Sequence, residues 1–251
     1  MSHQFYVTLP SNSPSAFHQQ NTISHYITQL PRALDLEGEW EVGLAEILYP
    51  HSWNNIRESR NVFSYDTGDG VLIEETVEVG HYETLEELCK AIHEKLPDVV
   101  KNNVAFSYRQ LNHHVSIKVK NNVRLKLSGD IATRLGFHQD TVISEKDKRK
   151  ESPKVAEIKG GIFSLFVYTD IASSQIVGNV NVPLLRIVRI EGKDGDVVSR
   201  QYETPQYVSL ARNYFSSIEI DIRDDEGENI SFERGKVVVT LHFRKRRPRY
   251  L

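Results

Sequence analysis

The sequence is poor in cysteine: its 251 residues include only Cys89, so no intrachain disulfide is possible, which fits a reducing compartment. A chain of this length buries roughly three quarters of the surface its unfolded form exposes, so it needs neither a disulfide nor a metal staple. No run approaches the roughly 18 apolar residues of a membrane span. The opening MSHQFYVTLP has no basic region followed by an apolar stretch, so export through a signal peptide is not expected. Net charge is also low, at -3, which argues against a globally basic nucleic-acid binder.

Catalytic templates are missing too. There is no Gly-x-Ser-x-Gly elbow, and Gly160-Gly161 lack the further glycines or Lys-Ser/Thr pair of a phosphate loop. Ten histidines include no His-x-x-x-His pair, and the adjacent His113 and His114 point to opposite sides of a strand. Cys89 lies on an apolar helical stripe and reads as a core residue. Asp224-Asp225 lie in a turn. The expectation is a non-enzymatic protein with no catalytic residue, no metal and no cofactor.

What is present is β-rich. Gln4 to Leu9 and Thr22 to Leu30 are short extended runs. In Glu39 to Tyr49, Trp40, Val42 and Leu44 share one face, the period of a half-buried strand. Beyond Leu44 the parity changes, which predicts a bulge at Gly43 or burial on both faces. Pro50 ends the strand. Later strands are expected at Ile162 to Tyr168, Leu184 to Ile190, Pro205 to Leu210, Phe215 to Ile222 and Lys236 to Phe243. A hairpin is expected to pair Ser217–Ile222 with Asn229–Phe232.

Between them the pattern changes. Thr84 and Glu87 form a capping box, and Leu85, Leu88, Cys89, Ile92 and Leu96 recur at helical spacing. Strands follow at Val104 to Arg109, His114 to Lys120 and Val123 to Leu127, then a short helix from Asp130 to Leu135 capped by Ser128 and stopped by Gly136. The expected fold is all-β: a single jelly-roll β-sandwich with an inserted small α+β module. The expected bounds are 1–79 and 155–243 for the jelly roll and 80–144 for the insert. Residues 145–154 read as a charged linker and 244–251 as a basic C-terminal tail. Arg244, Lys245, Arg246, Arg247 and Arg249 in that tail are candidates for contact with nucleic acid or an acidic partner, against the alternative of a solubilising terminus.

Leu36-Glu37-Gly38-Glu39-Trp40-Glu41-Val42-Gly43-Leu44-Ala45-Glu46-Ile47-Leu48-Tyr49-Pro50-His51-Ser52-Trp53 resembles the signature segment of the minor capsid (penton) proteins of Polinton/Maverick elements and related adintoviruses. Phe5 to Ser13 resembles that family's first strand and turn. Phe166 to Asp170, continued through Ile176 to Arg186, resembles its central motif, and Val237 to Arg244 its last strand. The resemblance implies a virion protein assembled inside the host cell: a homopentamer at the vertices of an icosahedral capsid, beside a double-jelly-roll major capsid protein. Its charge alone, and not the resemblance, suggests that the basic tail faces packaged DNA. The competing expectation is a monomeric sandwich that binds carbohydrate or peptide through exposed aromatics such as Trp53 or Tyr214.

Overall fold

The computed structural model describes residues 4–13, 19–159 and 162–246. They form two compact units, one up to Trp53 and again from Ile162, the other from Asn54 to Gly161. The first unit opens with strands β1 (Gln4–Pro10), β2 (His25–Asp35) and β3 (Trp40–Pro50). The second holds β4 (Val62–Asp66), β5 (Ile73–Thr76), α1 (Leu85–Lys95), α2 (Asp98–Lys101), β6 (Val104–Arg109), β7 (His114–Val119), β8 (Arg124–Leu127), α3 (Gly129–Arg134), β9 (Thr141–Ser144) and β10 (Lys150–Glu151). The first unit resumes with β11 (Ser164–Thr169), β12 (Gln175–Val177), β13 (Val180–Val182) and β14 (Leu184–Arg189). It closes with β15 (Val197–Gln201), β16 (Tyr207–Ser209), β17 (Tyr214–Arg223) and β18 (Val238–Lys245).

Two antiparallel sheets build the first unit. One runs β1-β18-β3-β15, with β16 also on β3, and the other runs β14-β11-β17-β2. Setting the β12–β13 hairpin aside and taking β15 with β16 as one interrupted strand leaves eight strands. The first, eighth, third and sixth share one sheet; the second, seventh, fourth and fifth share the other. That is jelly-roll connectivity. Alternation supplies the core: Ile218, Ile220 and Ile222 of β17 and Leu165 and Val167 of β11 are fully buried with Val42, Leu44, Ile47, Leu241 and Phe243 of the other sheet. Two tyrosine hydroxyls add polar ties. Tyr26 donates to the Leu9 carbonyl at 2.9 Å, and Tyr49 accepts from the Glu191 amide at 2.9 Å.

The parity change in β3 comes from a bulge, one of the two causes expected, but not at Gly43. Thr240 stands opposite Glu46 and Leu241 opposite Leu44, so Ala45 is the extra residue and the bulge lies two positions past Gly43. Trp40, Val42 and Leu44 face the core before it, Ile47 and Tyr49 after it. A second irregularity lets β2 carry a proline. Phe215 pairs with Leu34 and Ser217 with Gln29, which leaves Pro31 outside the ladder, where its missing N–H is not needed.

The second unit packs sheets β10-β7-β6 and β5-β4-β8-β9 with its helices around a separate core. Helix α1 begins at Thr84, whose Oγ1 accepts from the Glu87 amide at 3.1 Å. The Glu87 carboxylate accepts from the amide of Glu83, one residue earlier than a capping box requires. At α3, Ser128 makes no side-chain cap; its hydroxyl donates to Asp140 instead.

The observed boundaries differ from those expected. Residues 54–79 fold with the insert, because Phe63 and Tyr65 of β4 pair with Leu127 and Leu125 of β8 and share its core. The charged run 145–154 is no open linker. A 3-10 turn over Glu145–Asp147 is boxed by Ser144 and Asp147, β10 pairs with Ile117 and Ser116, and Ser152 is buried. The expected tail also starts too early, since Arg244 and Lys245 belong to β18. Opposite β17, Asn229 makes only an isolated bridge to Arg223, so 229–232 is not a hairpin strand.

The insert holds a fully buried acid, Asp130. The Asp130 carboxylate accepts from the Arg57 amide, Nε and Nη2, each at 3.0 Å, and forms ion pairs with Arg60 Nε at 3.0 Å and Arg134 Nη2 at 3.9 Å. Burial alone would push this carboxyl up. Hydrogen bonds from Arg57, with the charges of Arg57 and Arg134, outweigh burial and hold it below the usual carboxylate range.

Candidate interaction surfaces

Among the described residues, the groups that the sequence offers for chemistry are engaged in structure. Cys89 is buried on α1, where burial pushes its thiol up to about 12, far from a reactive thiolate. His113 meets the Tyr108 hydroxyl at 2.8 Å, and His114 Nδ1 lies 2.7 Å from the Ser152 carbonyl. Asp224 accepts from the amides of Glu226 and Glu228 and so closes its own turn, while Asp225 accepts from the amide of Phe163. Among the described residues no group of three or more His, Cys, Asp or Glu is placed to hold a metal ion.

Three of the five tail cations are described, and two of them are already paired. Arg244 binds Glu41 through Nε and Nη2, both at 2.9 Å, and its guanidinium lies 3.4 Å from the centre of the Tyr207 ring. Arg246 lies 3.5 Å from Glu39 and 3.9 Å from Glu41. Lys245 stands opposite Trp40 in the ladder. Arg247 and Arg249, like Gly160 and Gly161, fall outside the described residues.

Arg244 belongs to a cluster on the outer face of its sheet. His242 is opposite Tyr6 of β1 on one side and Gly43 of β3 on the other. The side chain missing at Gly43 leaves room for β16, whose Tyr207 pairs with Gly43 and brings its hydroxyl to 2.6 Å from His242 Nδ1. Tyr6 stacks on the imidazole at 4.4 Å and is 64% exposed. A Cβ at Gly43 would come 2.8 Å from the Gln206 carbonyl and 3.0 Å from Pro205 Cβ. Gly43→Ala is therefore expected to cost about 1–3 kcal/mol by overpacking, read by urea unfolding, with β16 displaced and the Tyr207–His242 bond lost. A neutral effect would show that β16 is loosely held.

Sequence reasoning missed one surface feature. β12 and β13 form a two-stranded hairpin with no other strand beside it, and Ile176 is 85% exposed with Val180 also on the surface. No charged residue occurs from Ile171 to Leu185. Alternation with Gly178 at the turn, where φ is +60°, was the available signal. In the insert, Val71, Leu72 and Ile73 form an exposed apolar run leading into the edge strand β5.

Of the two aromatics expected to line a ligand cleft, Trp53 is unable to do so. Trp53 is only 2% exposed, stacked on His51 at 4.0 Å and edge-on to Phe232, so it cannot serve as a binding platform. Tyr214 is exposed at the start of β17.

No protein-family model and no curated protein matches the sequence. Among solved structures, the chain is similar to the mavirus penton protein, at 12% identity over 96% of this chain and 98% of that one, with a TM-score of 0.48. It is also similar to a chain of the Sputnik virophage, at 10% identity over 98% of both chains, with a TM-score of 0.44.

Proposed function

We propose that the chain is a minor capsid (penton) subunit that assembles as a homopentamer at the vertices of an icosahedral capsid, with a structural rather than catalytic role. The observation that carries this is the eight-strand jelly roll with a folded unit inserted between its third and fourth strands. The four segments that resemble the Polinton and adintovirus pentons fall on it in order, at β1, at β3, across β11 to β14, and at β18.

The exposed parts suit such an assembly. Each sheet ends in strands with an unpaired side, β1 and β15 in one and β14 and β2 in the other. Packing copies head to tail around an axis covers edges and the uncharged β12–β13 hairpin at one stroke, and a closed ring leaves no end for further growth. The major capsid protein, of double-jelly-roll type, is the proposed neighbour, and the virion the proposed location. No helix among the described residues is long and apolar enough to cross a membrane. Contact with packaged DNA stays part of the proposal only for Lys245 and the cations past Arg246, because Arg244 and Arg246 already face acids of this chain.

Sedimentation or mass photometry of the purified protein is expected to show a species of five 28.8 kDa chains that grows with concentration. A strict monomer at high concentration overturns the assignment.

A further inference from the structure

We propose that His242 is an acid-sensitive latch that holds the edge strand β1 on its sheet at neutral pH and loosens it in mild acid. This inference is independent of the capsid reading, because it concerns one strand of one chain.

The ring is boxed in. His242 is 7% exposed, its Nδ1 is taken by the Tyr207 hydroxyl, and its Nε2 is buried with no hydrogen-bond partner. The groups facing it are Tyr6 from β1, Glu41 from β3, Tyr207 from β16 and Arg244 on its own strand. Glu41 is committed to Arg244, so no acid is left to balance a second cation.

A neutral imidazole tolerates this box with either tautomer. If Nδ1 accepts the Tyr207 proton, only one N–H is left over; if Nδ1 donates to the tyrosine oxygen, only a lone pair is. An imidazolium must donate from both nitrogens. Nδ1 still has the tyrosine oxygen, but Nε2 then carries a charged N–H with nothing to receive it, next to the Arg244 guanidinium. The Tyr6 ring attracts a cation, but it cannot accept a proper hydrogen bond from an edge that does not point at it. Burial, and after it the Arg244 charge, accordingly lower the proton affinity of this ring below that of an ordinary histidine.

The sign follows. With the folded pKa depressed, the opened state binds the proton better, so folded β1 loses stability as pH falls through the ordinary histidine value near 6.5 and keeps it above. The cheapest way to hydrate Nε2 is to lift Tyr6. Tyr6 sits on β1, which pairs only with β18 in its sheet, so the strand peels from one side.

Hydrogen exchange of the β1 amides at pH 7.5 and pH 5, corrected for intrinsic rates, tests this on the full chain. Exchange over Gln4–Pro10 is expected to rise roughly tenfold at the lower pH while the opposite edge β15 is unchanged, and His242→Gln should abolish the pH dependence. An unchanged β1, or the same rise in His242→Gln, overturns the latch. In the unmodified protein, NMR titration of the His242 ring must share its midpoint with the change in β1 exchange. Separate midpoints overturn it too, whether or not the variant folds.

Discussion

Replacing Asp130 with alanine is expected to destabilise the inserted unit by about 3–5 kcal/mol, the range for breaking a buried ion pair from one side. The carboxylate is fully buried and is met by Arg57, Arg60 and Arg134, so its loss strands a cluster of cations rather than a single bond. Arg134 is the most buried of the three, and its Nε is already committed to the Asn55 carbonyl. The segment 55–60 would lose part of its anchor to α3, because Arg57 reaches Asp130 through its backbone amide as well, while the bond from the Asp130 amide to the Arg60 carbonyl remains. Native-state hydrogen exchange at β4, β8 and α3 measures the loss, and a change below about 1 kcal/mol would contradict this account. Asp130→Asn keeps an acceptor and should lose less. Because the carboxyl is held below its usual range, the stabilisation is fully present above about pH 4 and is lost only as pH falls through the lowered value.

The second large effect is expected at Phe243→Ala, about 3–5 kcal/mol in the jelly-roll unit. Phe243 is fully buried, stacks on Phe5 at 4.8 Å with the rings 2° from parallel, and lies 6.1 Å from Phe215. It therefore joins β1, β18 and β17, that is, both sheets. Phe5 in turn meets Trp40 at 5.6 Å, so the cavity would open beside a fluorophore. Both tryptophans of the chain, Trp40 and Trp53, lie in this unit, so their emission during urea unfolding reports it and not the insert. Phe243→Leu should recover much of the loss. If alanine costs less than about 1.5 kcal/mol, the aromatic cluster is not what joins the sheets.

Local signals were legible in the sequence where a segment carries its own reason for its shape. Helix α1, the strands β6 and β7, and the alternating β17 all stand where their residue patterns put them. What was not legible depends on a distant partner. Gly43 reads locally as a bulge, yet its role is to leave space for Tyr207, more than 160 positions along the chain, and the bulge falls on Ala45. Strand β15 carries too little apolar alternation to announce itself and is defined by pairing with β3. The boundary of the insert was misplaced because β4 looks like any other strand until its partner β8 is known. The basic tail shows the same limit: a run of cations is visible in the sequence, but the acids Glu39 and Glu41 that meet Arg244 and Arg246 are not.

The order of strands along the chain also sets an order of folding. The insert is one continuous segment, so all its partners are present once residue 161 has been made, and it can close while synthesis continues. The jelly roll cannot. Its strand β18 sits between β1 and β3, and both of those strands wait for it with unsatisfied backbone groups. A nascent chain therefore carries a finished domain inside an unfinished one, and the sandwich zips shut last, by sequence-distant contacts that form slowly.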